Sequence, residues 1–342
     1  MCYICNEGGY MKIETRNYGI DIVRIIATIT VLCVHFFLNT GYYEYVKDAD
    51  ITVVFHIFIR NFFMICVPLF MLITGYLNKK IEYNKSFFKG LLNILIVWFF
   101  YSIIEYVVLN LINGYTDNLN IKDFIKAFTS FNACGYSWYI EMYIGLYLLS
   151  PILNNSYNSF NKKNRLYLLL ICAGIFILPQ FINEIWNGFH LPSWWTSAYP
   201  IAYYIFGKYI FDIKPKFNKK TLFFILVLMQ LIAMFIDLNT SIEYYTITTF
   251  ISSTIVFLLF YDIEIKNKTS QKVIKYISNI SLDIYLASSL IDKILYPIFN
   301  NYMANNNISS PKSLIYSPLI ILIVFICSAI YGSIRKFIIN VR

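Results

Sequence analysis

The sequence predicts an all-α polytopic membrane protein, a bundle of about ten transmembrane helices. Three observations carry that prediction. Hydrophobic residues make up 58% of the chain and charged residues 14%, an apolar excess beyond what a soluble core uses. The apolar residues fall into ten runs of helical, membrane-spanning length. The basic residues collect in alternate connections between those runs.

The ten runs cover 19–38, 51–77, 87–112, 136–153, 166–182, 194–213, 220–238, 244–263, 273–299 and 313–334. The first, GIDIVRIIATITVLCVHFFL, is long enough to cross a hydrocarbon core of about 30 Å. It carries Asp21, Arg24 and His35, each costly in lipid unless it faces protein or water. Arg24 and His35 are eleven residues apart, almost three turns, so both lie on one helix face about 16 Å apart along the axis. A structural reading has Arg24 snorkelling to the interface or pairing with Asp21, and His35 hydrogen-bonding within packed helices. A functional reading makes His35 an imidazole placed to accept and release a proton within the span.

The second and ninth runs exceed a span and are expected to begin with an interfacial turn or to tilt. The second holds Arg60 in its outer or middle part, and the third holds Glu105 in its outer half. Within loop 113–135 the stretch IKDFIKAF reads as a short surface helix. The fourth run opens on Trp138, Tyr139 and Glu141. The loop NEIWNGFHLPSWW between the fifth and sixth runs contributes Trp186, His190, Trp194 and Trp195. These tryptophans read first as an interfacial aromatic belt. Grouped with His35, Glu105 and Glu141, they also suit a sugar site, where aromatic faces stack and carboxylates accept hydroxyl hydrogen bonds.

With the N-terminus inside, the inner connections hold 20 lysines and arginines and the outer ones 4: Lys47, Lys122, Lys126 and Lys312. The positive-inside rule then places both termini in the cytoplasm and supports an even number of spans in the cell membrane. The expected organisation is a cytoplasmic tail over 1–18, one transmembrane domain over 19–334 and a cytoplasmic tail over 335–342. The net charge of +9 is explained by this topology, so no nucleic-acid partner is expected. Cys2 and Cys5 form a lone C-x-x-C with no second half, and no metal is expected. Glu7-Gly8-Gly9 ahead of Met11 reads like a translated ribosome-binding sequence, which makes Met11 the expected natural start.

Three segments carry a family resemblance. They are RNYGIDIVRIIATITVLCVHFF over 16–37, VPLFMLITGYL over 67–77 and SWYIEMYIGLYLLSPILN over 137–154. Together and in this order they resemble the acyltransferase-3 family of integral membrane O-acyltransferases, with Arg24 and His35 matching its arginine, ten residues, histidine pattern. The resemblance implies transfer of an acyl group, commonly acetyl from cytoplasmic acetyl-CoA, to a hydroxyl of a cell-surface glycan or lipid-linked sugar. It implies Arg24 on the donor, and Arg60 is read beside it as a second donor-binding cation. His35 becomes the general base or a transient acyl carrier, and Glu141 is the second catalytic candidate, either orienting His35 or replacing it as base. Trp138, Tyr139, Glu105, Trp194 and Trp195 are then the expected acceptor contacts. Pro68 and Gly75 would bend the second helix or let backbones approach closely. One stretch departs from the family pattern. Many members place a histidine after a Tyr-Leu pair in a late helix, whereas SLDIYLASSL has Ser288 near that position and keeps Asp283.

Two other readings stand beside this one. A transporter or flippase for a glycan or small metabolite would line its path with the same buried charges, although no paired halves are visible. A membrane sensor or scaffold would use them for packing or pH response.

Overall fold

The computed structural model describes residues 16–46, 51–78, 81–114, 121–185, 190–237 and 243–339, and among these there are helices and no strands. The Cys2–Cys5 pair, Met11, Trp186 and the loop cations Lys12, Lys47, Lys79, Lys80 and Arg342 lie outside the described residues. The helices in order are α1 (Tyr18–Asn39), α2 (Tyr42–Tyr45), α3 (Ile51–Phe63), α4 (Cys66–Leu77) and α5 (Lys85–Ile112). There follow α6 (Ile121–Thr129), α7 (Trp138–Ser159), α8 (Lys162–Phe176), α9 (Leu178–Ile185) and α10 (Tyr199–Ile213). The last five are α11 (Lys219–Asp237), α12 (Ile247–Phe260), α13 (Lys268–Asn279), α14 (Ser281–Asn305) and α15 (Ser317–Ile338). Short 3₁₀ turns at Ser193–Ala198 and Ser310–Tyr316 lead into α10 and α15.

Each of the ten apolar runs is helical, because in lipid a helix alone satisfies every backbone group within the segment. Five stretches are long and apolar enough to cross a membrane by themselves: α1, Val53–Leu77, α5, Lys219–Ile236 and Ser310–Ile338. Several runs contain breaks with local causes. The second run is α3 and α4, interrupted at Met64–Ile65. Pro68 has no N–H to give the Met64 carbonyl and its ring crowds that carbonyl, so the helix opens one turn ahead of the proline. The break between α8 and α9 sits at Ile177, two residues before Pro179. Pro151 leaves α7 unbroken, since the Ser150 hydroxyl donates to the Tyr147 carbonyl at 2.6 Å in place of the missing amide. The ninth run begins in the amphipathic helix α13, turns at Ile280 and continues as α14. At the C-terminal end α15 runs on to Ile338, through positions that the sequence assigns to a tail.

α1 is the central helix. It packs against α3, α4, α12, α13, α14 and α15, and Val23, Ala27, Val31, Leu32, Phe36 and Phe37 are buried along it. The closest helix pair is α4 with α10. Gly75 faces the backbone of Tyr204 and Gly207 faces the backbone of Leu72, with no room for a methyl group at either glycine. Two small residues thus let two backbones touch, a common solution where lipid supplies no hydrophobic drive between helices.

Polar residues tie the ends. At one end Arg16 binds Asp21 and Asn279, and Gly19 lies against the carbonyls of Phe260 and Tyr261. Arg165 binds Asp212 at 2.8 Å, and Lys219 binds Asp262 at 2.6 Å. The buried Lys208 lies over the Tyr157 ring at 5.2 Å. Those are ends of connections that the charge distribution groups on one side. Asn300, at the other end, donates to the Asn39 carbonyl. α1 and α14 run in the same direction, because Asp21 meets Ser278 just ahead of α14 while Phe36 meets Tyr296 and Phe299. α15 returns antiparallel to α14, and Arg335 near its C-terminus reaches Asp283 near the start of α14.

Candidate active site

The imidazole of His35 lies near the C-terminal end of α1 and is 7% exposed. Its Nδ1 stands 3.5 Å from Oδ2 of Asp292 on α14. Its face stacks on Tyr136, with ring centroids 3.6 Å apart and planes inclined by 25°. The Tyr136 hydroxyl donates to the same Asp292 oxygen at 2.7 Å. Asn39, one turn after His35, donates to the His35 carbonyl at 2.7 Å and to the Tyr136 hydroxyl at 3.3 Å. Asp292 is 1% exposed, and its second oxygen, Oδ1, accepts no hydrogen bond from the described residues. A buried carboxylate and imidazole this close form a pair that can hold or pass a proton.

Tyr136 sits in the loop between α6 and α7, and a second buried carboxylate holds that loop in place. Glu105 Oε1 on α5 accepts the Gly135 amide at 3.0 Å, the Ser289 hydroxyl at 2.8 Å and the Lys293 amine at 2.7 Å. Tyr285 donates to the Tyr136 carbonyl at 2.6 Å. The α14 contributors are Tyr285, Ser289, Asp292 and Lys293; Asp292 and Lys293 follow Ser289 by three and four residues, and all four fall within an arc of about 100° on one helix face. Gly135 has no space for a side chain, since an added Cβ would meet the Ser289 hydroxyl at 2.7 Å.

The expected site residues are distributed as follows. His35 and Glu105 belong to this cluster. Tyr139, 8% exposed, lies behind it, edge-on to Tyr285 at 5.3 Å. Trp138 is 41% exposed and stacks on Tyr244 at 5.6 Å. Glu141 is exposed, and its side chain makes no hydrogen bond or ion pair with the described residues. Arg24, toward the other end of α1, donates to Ser278 at 3.0 Å, and Ser278 donates to Asp21 at 2.7 Å. Arg60 is buried apart from these groups, donating to the Tyr43 hydroxyl at 3.0 Å beneath the Tyr42 and Tyr43 rings. Trp194 and Trp195 meet edge-on at 6.1 Å at the start of the 3₁₀ turn before α10, with Trp194 73% exposed.

Sequence reasoning passed over Asp292, Tyr136, Ser289 and Lys293. The signal for Asp292 was present, because a carboxylate inside a predicted span is a functional candidate by default. In the 273–299 run the family pattern points instead to Asp283 and Ser288. Ser288 donates to the Tyr285 carbonyl at 2.8 Å within α14. Asp283 is paired with Arg335 through two hydrogen bonds of 2.7 Å. Among the described residues no group of His, Cys, Asp and Glu could hold a metal ion.

No curated protein and no solved structure matches the chain. Residues 17–334, which contain every residue of this cluster, match the family model described as an acyltransferase domain. The chain belongs to the acyltransferase-3 family of membrane acyltransferases.

Proposed function

We propose that the protein is a membrane O-acyltransferase that moves an acyl group, most simply acetyl from cytoplasmic acetyl-CoA, to a hydroxyl of a cell-surface or lipid-linked glycan. The observation that carries this reading is the buried His35 held between Tyr136 and Asp292. Asp292 faces Nδ1, which leaves Nε2 as the nitrogen that takes the acceptor's proton. The acceptor oxygen attacks the thioester carbonyl and the carbon–sulfur bond breaks. The departing thiolate recovers the proton from the imidazolium. Asp292 orients the ring and offsets its positive charge while the proton is held.

In this reading Glu105 positions the Tyr136 loop through Oε1, on which three donors converge, and its buried Oε2, without a partner among the described residues, remains available to an acceptor hydroxyl. Arg24 binds the anionic part of the donor from the cytoplasmic end, and the acyl-bearing arm follows the helix face past Tyr139. Trp138 and Tyr139, at the start of α7, supply aromatic contacts to the acceptor. Trp194 and Trp195 serve as interfacial anchors. Both termini are cytoplasmic, so a reporter fused after Arg342 reads as cytoplasmic.

The test supplies radiolabelled acetyl-CoA to inverted vesicles containing the protein and a lipid-linked glycan fraction. Label on the glycan, lost with His35→Gln in equally folded protein, supports the reading. Glycan that crosses without gaining label overturns it in favour of transport.

A further inference from the structure

α13 has a face that the acyl-transfer reading does not use. Lys268, Lys272 and Lys275 recur at four and three residues and fall within an arc of about 60°. All three are exposed and none makes a hydrogen bond or ion pair with the described residues. Beside this stripe Tyr276 and Val273 are also exposed, at 50% and 52%. The opposite face is anchored: Ile277 packs with Ile280, Leu32 and Val324, and Ser278 joins Arg24 and Asp21.

Between Tyr276 and α15 runs an open trough of about 580 Å³, walled by Phe325, Ala329, Ile330, Ser333 and Phe337. The Tyr276 and Ser333 hydroxyls are hydrogen-bonded across it at 2.5 Å. The trough is apolar along α15, and Tyr276 on its α13 side follows Lys275 and lies one turn after Lys272. A ligand that satisfies both parts carries a hydrocarbon chain and a negative head. Free phosphate would use only the lysines, and a zwitterionic lipid would gain little from them.

We propose that the α13–α15 trough is a binding site for an anionic phospholipid of the leaflet that α13 faces. One acyl chain lies along Ala329, Ile330 and Phe337, and the phosphate sits by Lys272 and Lys275. Amphipathic basic helices bind anionic membrane surfaces through this pairing of apolar area with charge. Each lysine near an anionic surface adds about fivefold in affinity.

The full-length protein in detergent, analysed by native mass spectrometry, provides the test. The probes are phosphatidylglycerol and phosphatidylcholine of matched chains. Phosphatidylglycerol should be retained about tenfold or more in preference. The Lys272→Gln, Lys275→Gln double variant should lose that preference and keep the phosphatidylcholine level. Replacing Ile330 and Phe337 by serine, at positions 57% and 92% exposed, should lower retention of both lipids while the lysines stay. Excess inorganic phosphate should not displace the lipid. Equal retention of the two lipids overturns the proposal, as does an unchanged preference in the lysine variant. Unchanged retention in the serine variant places the lipid elsewhere, and displacement by phosphate reduces the site to a headgroup contact; either result overturns it.

Discussion

His35 Nδ1 and Asp292 Oδ2 lie 3.5 Å apart although 257 positions separate them in the chain. Both side chains are buried, and Tyr136 bridges them by stacking on one and donating to the other. If Asp292 sets the orientation and charge of the imidazole, Asp292→Asn should reduce turnover by about 10²–10⁴-fold. The variant should still fold, since asparagine preserves the shape and accepts the Tyr136 hydroxyl. Acetylated product per folded protein is the measurement. Parent-level turnover would remove Asp292 from the mechanism and return Glu141 to consideration.

Arg24 offers a separate reading of donor use. Arg24→Ala should raise the KM for acetyl-CoA more than it lowers kcat, with Arg24→Lys recovering part of the loss, because an ammonium keeps the charge but not the guanidinium fork. An unchanged KM in Arg24→Ala would make its bond to Ser278 structural only.

The contact of α4 with α10 predicts a stability effect far from the chemistry. Gly75→Ala and Gly207→Ala each push a methyl group into the facing backbone. Each should cost about 1–3 kcal/mol, read as a lower temperature of inactivation in detergent. Gly174→Ala, at a glycine with open space around it, is the control and should match the parent.

Asp283 and Arg335 form a buried pair, joined by the Tyr101 hydroxyl at 3.1 Å. Removing one partner strands a charge, so Arg335→Ala should destabilise by about 3–5 kcal/mol. Replacing both by leucine should cost less than Arg335→Ala alone, since no uncompensated charge is left. Thermal inactivation of the single and double variants distinguishes the outcomes, and a single variant as stable as the parent would contradict the pairing.

The sequence by itself determined the helices. Each apolar run must close its own i to i−4 hydrogen bonds in lipid, so composition, length and prolines such as Pro68 decide where helices form and break. It also determined α1 as the element of interest, since Asp21, Arg24 and His35 are too costly in a span to be incidental. Which polar groups meet was decided only by tertiary structure. Asp292 and Glu141 are both carboxylates in apolar runs, and no local pattern tells one from the other. The rotation of α14 against α1 turns Asp292 inward to His35, while α7 leaves Glu141 exposed. Arg335 has the same history: read from the sequence it belongs to a charged tail, and the antiparallel return of α15 buries it on Asp283. Helix formation is a contract among neighbours in the chain. The candidate site needs α1, α5, α14 and the Tyr136 loop together, and their alignment follows from packing between residues that no local rule connects.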